Sequence, residues 1–354
     1  DGTSLLHRTI VTGLWSKEVW LSALSCFIKA PLGVAALFFN LMKSGRPINI
    51  VKNLLVFPKS LFIAEKVKLL QIDHIHAHWA STPSTCAMVV SALTGVSWSF
   101  TAHRWDILNN NLVREKVKNS SFVRVISNKG RKQIISIAGP DAAKKVFYCP
   151  MGVEVPEELP EKTCRRRGKP LIAAVGSLTP VKGHRYLLLA CRLLADRGMD
   201  FRCLIIGDGP ERKNLAGLAA HLGLGKIVIL TGALSHDRVI RMFRADTLRV
   251  LAHPSVETPD GEHEGVPVVV MEAMAHNIPV VVTETGSITD LVDRESGLIV
   301  PPEDPAALAW AISSLLNDHA RTRMLSRAAR RRIDEKFNLN RNVSILTGRM
   351  GITL

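Results

Sequence analysis

From about residue 170 onward, short apolar runs alternate with longer amphipathic stretches. Runs of strand length are Leu171–Val175, Arg202–Ile206, 227–230, 248–252 and 278–282. Apolar residues at helical spacing fill the intervals at 183–197, 211–222, His236–Arg244 and 267–275, and continue at 305–316 and 320–336. Repeated strand–helix–strand order predicts a parallel sheet with right-handed crossovers, a doubly wound α/β domain. Gly176, Gly207, Gly209 and Gly232 close the strand runs, and ligands of such sheets bind at those carboxyl ends. The first part repeats the pattern more faintly, with strand-like runs at 74–77, 97–101, 123–127 and 146–149 and helical stretches at 81–94 and 128–137. Residues 1–70 read as apolar and helical, with no alternation that resolves further. The segment 156–169 is rich in Pro, Glu and Arg and reads as a linker. The boundary therefore falls there, giving domains 1–155 and 156–336.

Composition fits this picture. The 354 residues are 47% hydrophobic but only 5% aromatic, as in sheets covered on both faces, and the length accommodates two domains. The most apolar early stretch, 30–42, is shorter than the ~20 residues that span a bilayer. It is expected to be a buried helix, with an interfacial helix as the alternative. A formal charge of +15 comes in short groups: Lys116 and Lys118, Lys144 and Lys145, 165–167, and 330–332. These predict a solvated basic surface or a peripheral contact with anionic membrane. No zinc-ligand spacing or RNA-binding run supports a nucleic-acid partner. Six cysteines, without a CxxC pair, fit reduced thiols in the cytoplasm, with Cys86, Cys149, Cys191 and Cys203 in apolar or strand-like surroundings. No signal peptide is visible.

The sharpest chemistry lies in Glu264-Gly265-Val266-Pro267-Val268-Val269-Val270-Met271-Glu272. Gly265 permits close approach of a ligand to the backbone. Pro267 suits the first position of a helix, whose free amides favour an anion such as a pyrophosphate. Glu264 precedes that helix, positioned to accept hydrogen bonds from sugar hydroxyls. Glu272 falls inside an otherwise apolar helix and needs donors. A ribose diol would supply two; an Arg or a backbone amide is the structural alternative.

This string resembles the E-x7-E signature of the retaining family 4 glycosyltransferases. The resemblance implies a GT-B fold, two Rossmann-like doubly wound domains facing a cleft that closes over the substrates. It implies that Glu264 meets the donor sugar, Glu272 the ribose, and the 265–267 backbone the diphosphate. Gly176-Ser177-Leu178-Thr179-Pro180-Val181-Lys182-Gly183 is similar to the family's phosphate loop, with Lys182 as its diphosphate-binding lysine. Ser177 stands where an Arg is common, so one positive charge is missing or supplied elsewhere. Gly207 lies in a matching turn, and Thr231 and Gly232 occupy the position where the family's base rests.

In the first half, His74-Ile75-His76-Ala77-His78-Trp79 and Phe100-Thr101-Ala102-His103-Arg104-Trp105-Asp106 resemble the family's acceptor-side strand ends. His103 matches a histidine near the donor sugar, and His78 and Asp106 are further candidates. The alternating histidines share one strand face, but no carboxylate or Cys set accompanies them, so they are expected to be hydrogen-bonded core residues and not metal ligands. Tyr148-Cys149-Pro150-Met151-Gly152-Val153 is similar to the hinge segment of the family. Its first strand and Gly-rich loop are not found before residue 70, so the region is either truncated or remodelled. Residues 337–354 are expected to pack back on the first domain, as in the family.

The resemblance implies retaining transfer from a UDP- or GDP-sugar to a sugar or lipid-linked sugar. Lys182, Glu264 and His103 are the catalytic candidates. Lys182 and the helix start stabilise the leaving diphosphate by fixed charge. No cofactor is expected, and no metal, since no D-x-D pair stands at a strand end. The stretch 257–263 and the HIHAHW segment are most similar to exopolysaccharide and colanic-acid-type members. The rival readings are a nucleotide-sugar-binding scaffold without activity and a sugar-nucleotide epimerase.

Overall fold

The computed structural model describes residues 9–159, 168–245 and 247–352. Cys164, the 165–167 arginine cluster and most of the linker stretch lie outside the described residues. Two compact units divide the chain, Asp1–Cys149 and Pro150–Leu354.

The first unit opens with three helices, α1 (Lys17–Lys29), α2 (Pro31–Leu41) and α3 (Pro47–Leu69). It continues as β1 (His74–His78), α4 (Thr82–Thr94), β2 (Ser97–Ala102), α5 (Arg104–Asn109), α6 (Val113–Asn119), β3 (Phe122–Val125), α7 (Asn128–Ala138) and β4 (Val146–Tyr148). The four strands are parallel and lie in sequence order. Trp98, Phe100, Val123 and Ile134 are among its core residues. Among the described residues no strand precedes β1.

Helix α3 buries amides as well as apolar groups. Asn53 Nδ2 donates to Ser44 Oγ at 2.7 Å and to Asn111 Oδ1 at 2.9 Å, while its own Oδ1 accepts from Asn111 Nδ2 and Thr85 Oγ1. The expected burial of 30–42 is not what the structure has. In α2 only Val34 and Leu41 are buried, and Leu32 is 86% and Phe39 64% exposed. α3 is the element that fills the space under α4, so α2 is left at the surface.

The second unit is built from β5 (Leu171–Val175), α8 (His184–Asp196), β6 (Arg202–Ile206), α9 (Arg212–His221), β7 (Val228–Gly232), α10 (His236–Arg244), β8 (Leu248–His253), α11 (Val268–Ala275), β9 (Val280–Thr283), α12 (Ile288–Leu291), β10 (Leu298–Val300), α13 (Pro305–Asn317), α14 (His319–Lys336) and α15 (Leu339–Arg349). Its six strands are parallel in the order β10-β9-β8-β5-β6-β7. The strand order reverses at β5, which pairs with β6 on one side and β8 on the other; this is the switch point at which doubly wound sheets place their ligands. Cys191 and Cys203 are thiols in the core of this unit, and Cys149 is buried in the first. The chain leaving α14 returns to the segment that opens the unit: Val153 N donates to Phe337 O at 2.9 Å and Leu339 N to Val153 O at 3.0 Å. Asn342 Nδ2, on α15, donates to Pro150 O at 3.3 Å.

Candidate functional site

Loops leave the carboxyl ends of β5, β6 and β7, and backbone hydrogen bonds lace them together. Gly176 N donates to Ile206 O at 3.0 Å, Leu178 N to Asp208 O at 2.9 Å, and Gly207 N to Gly232 O at 3.0 Å. Gly207 has φ +150°, and a Cβ there would stand 1.8 Å from Gly176 O. Only glycine lets the two loops touch. Ser177 Oγ lies 3.3 Å from Thr179 Oγ1, and the Thr231 hydroxyl donates to Gly232 O at 2.8 Å. Arg212, which opens α9, sets a guanidinium nitrogen 3.2 Å from where a Gly232 Cβ would be.

A short 3-10 turn, Pro180–Lys182, folds the Lys182 methylenes back over Gly176. Its Nζ donates to Glu264 Oε2. Glu264 lies between β8 and α11 and draws two further donors: His253 Nε2 at 3.2 Å and Gly265 N, which reaches Oε1 at 3.3 Å. Burial pushes the Glu264 carboxyl up, but the hydrogen bond and charge of His253, and then those of Lys182, outweigh it and hold the group at about 2. His253 ends β8 and is buried. Beside it His184, the first residue of α8, is lowered to about 4 by burial and by the charge of His253, against a Ser177 backbone hydrogen bond. His184 is therefore neutral.

Two contacts fix the Glu264 backbone. His263 Nδ1 donates to Glu264 O at 2.9 Å. Gly286 (φ +58°) lies beneath it, where a Cβ would stand 1.8 Å from the same oxygen. Helix α11 starts one residue later than the sequence predicts: Pro267 is its N-cap, with ψ 118°, and Val268 the first helical residue. Val266 is buried in the core just before it. Glu272, in the second turn, finds its donor in His236 Nε2 at 2.8 Å, from the first residue of α10.

In the first unit, His74 and His76 are bound by a hydroxyl ladder on β2. His74 meets Ser97 and Ser99 at 2.8 and 2.7 Å, and His76 meets Ser99 and Thr101 at 2.8 and 2.9 Å. His78 and Trp79 both pack on His103, with ring centroids 4.6 and 4.1 Å away. Trp79 adopts φ +99° to do so, a strained conformation for a residue with a side chain. Burial, then the charges of His78 and Arg124, lower His103 to about 4, so it is neutral.

Asp106 is engaged by backbone: it accepts from Ala80 N and, at 2.7 Å, from His103 N. It ties the loop after β1 to the loop after β2. Burial raises it to about 6 against those hydrogen bonds. Lys116, expected on the basic surface, is fully buried, its Nζ donating to Ala80 O and Ser81 O at 2.8 Å each. It caps carbonyls at the same loop, so its charge is used internally.

Of the expected site residues, Lys182, Glu264 and Gly265 are therefore in direct contact. Gly176, Ser177, Gly207, Thr231 and Gly232 line the laced loops, and Glu272 faces His236. His78, His103 and Asp106 form a separate cluster in the first unit. His253, His236, Arg212 and Gly286 escaped the sequence reading. Among the described residues no group of three or more His, Cys, Asp or Glu side chains is placed to hold a metal ion.

Comparison with known proteins bears on this geometry. Residues 156–332 match the family described as glycosyl transferases group 1. WcaL of Escherichia coli, provisionally assigned to colanic acid biosynthesis, is 34% identical over 209 residues, 57% of this chain and 51% of WcaL. The amylovoran biosynthesis glycosyltransferase AmsK of Erwinia amylovora is 31% identical over 245 residues, 67% of this chain and 59% of AmsK. The matched stretch thus spans little more than half the length of these relatives. In fold, the chain is similar to Anabaena HepE solved in complex with UDP, with a TM-score of 0.68, 18% identity, and coverage of 83% of this chain and 82% of that one.

Proposed function

Because the chain belongs to the group 1 glycosyltransferases, we propose that it moves a sugar from a nucleotide-diphosphate donor to an acceptor hydroxyl, with retention of configuration, in the synthesis of a cell-surface polysaccharide or glycolipid. What supports the reading is one juxtaposition. Lys182 from the β5 loop and His253 from the end of β8 converge on Glu264 at the switch point of the sheet. The anomeric bond breaks with oxocarbenium character, and the leaving diphosphate gathers negative charge. In this proposal Lys182 and the amides at the start of α11 meet that charge electrostatically. Arg212 is our candidate for the positive charge that Ser177 does not supply.

Lys182 is shared between two tasks. A diphosphate competes with Glu264 for its ammonium. When Lys182 turns to phosphate, His253 remains on Glu264 and keeps the carboxylate oriented towards sugar hydroxyls. Glu272 and His236 together receive the ribose. Transfer proceeds without a divalent cation in this proposal, the diphosphate being neutralised by side chains; activity surviving EDTA tests that part. His103 is neutral and serves to position the sugar, so His103→Ala lowers kcat with donor affinity kept.

The experiment is calorimetry or thermal shift with UDP-, GDP- and ADP-sugars on wild type and Glu272→Ala. Binding of one nucleotide series, lost in the variant, supports the donor site and identifies the base. No binding by any series sinks it. Hydrolysis of the bound donor separates an enzyme from a nucleotide-sugar-binding scaffold, a reading that Ser177 and the Gly-rich loop not found before residue 70 favour.

A further inference from the structure

We infer that the outward face of α1, continued by the start of α2, docks on an anionic lipid bilayer. This inference is independent of the donor chemistry above.

Helix α1 is inside out. Its inward side is small or polar: Ser22 Oγ donates to Glu65 Oε2 at 2.5 Å, and Cys26 Sγ lies 3.8 Å from Leu61 O, both on α3. Val19 is its one buried residue. The large apolar side chains face out. Trp20, Leu21, Leu24, Phe27 and Ile28 recur at i, i+1, i+4, i+7 and i+8, one stripe of the helix; Leu21 is 66% and Ile28 70% exposed. Trp15 stacks on Trp20 with centroids 6.0 Å apart. A contiguous exposed apolar stripe marks an interaction surface.

Charge selects the occupant. Between residues 9 and 59 the basic residues are Lys17, Lys29, Lys43, Arg46, Lys52 and Lys59, and the acidic one is Glu18. Lys17 and Lys29 stand exposed at the two ends of the stripe. An apolar face edged by tryptophans and bracketed by lysines is the composition of a helix lying at the headgroup level. With 13 residues, α1 is about 20 Å long, too short to cross a bilayer. The chain then turns by 115° into α2, whose first turn exposes Leu32. A second copy of the chain would set one basic surface against another, which electrostatic complementarity disfavours.

The test is flotation of the full chain with vesicles of phosphatidylcholine alone and of phosphatidylcholine mixed with phosphatidylglycerol. Binding to the mixed vesicles, weakened by salt, is expected, with tryptophan emission shifted to the blue and quenched by brominated acyl chains. Leu21→Gln/Leu24→Gln/Phe27→Gln is expected to abolish it. Lys17→Gln and Lys29→Gln are each expected to weaken it by about fivefold. Melting temperature confirms that each variant is folded. The proposal is overturned if wild type does not bind the mixed vesicles at low salt, or if the triple variant binds like wild type. A concentration-dependent dimer lost in the triple variant, without vesicle binding, would assign the face to a second copy instead.

Discussion

At the residue scale, Lys182 and Glu264, which the proposed function assigns to the leaving diphosphate and the donor sugar, predict the largest effects. Lys182→Ala removes the charge proposed to face the leaving group, and kcat is expected to fall by a factor of about 10²–10³, with a lower melting temperature because Glu264 loses one of its donors; steady-state kinetics and thermal melting check this. Glu264 makes a pH prediction. Its folded pKa is depressed from 4.5 to about 2, so the stability it confers is present above pH 4.5 and is lost as pH falls towards 2. The total is up to about 3 kcal/mol. Urea unfolding between neutral pH and pH 2 should show that slope in wild type and a smaller one in Glu264→Gln. The Glu264, Lys182 and Glu272 positions were legible because they stand in short strings whose glycines and prolines restrict the backbone. His253 was not: it ends the apolar run Leu248–His253 and looks like any strand terminus until folding brings it against a carboxylate eleven residues on. Gly286 is hidden for the same reason, since its partner is made by another loop.

At the element scale, α3 carries a row of amides through the first unit's helical layer. Asn53→Leu removes one member and leaves the buried Asn111 Nδ2 without its acceptor, while Thr85 keeps Ser81 O. The cost is about 2–4 kcal/mol, read as a fall in urea midpoint with the m-value kept. The strands β5 to β9 were readable from apolar runs because both faces of a parallel sheet are covered. Helices α5 and α6 were not readable: at six and seven residues they are too short and too polar to show a period. Their placement depends on Asp106 and Lys116, whose partners are main-chain atoms and leave no trace in the sequence.

At the scale of the whole molecule, the proposed donor site lies in the second unit, while the exposed apolar helix belongs to the first. Hydrogen exchange with and without the binding nucleotide should therefore show protection at 176–183 and 264–272, and little change in α1 and α2; protection confined to the first unit would contradict the donor site. The second unit has a further property. Its opening segment and its closing segment are clasped at Val153, Phe337 and Leu339, with Asn342 reaching Pro150. Topologically it is a ring with a short gap and has no required starting point. Joining the clasped ends and cutting the ring at the turn between α9 and β7 would give a circular permutant with the same strand order and the same loops around Glu264.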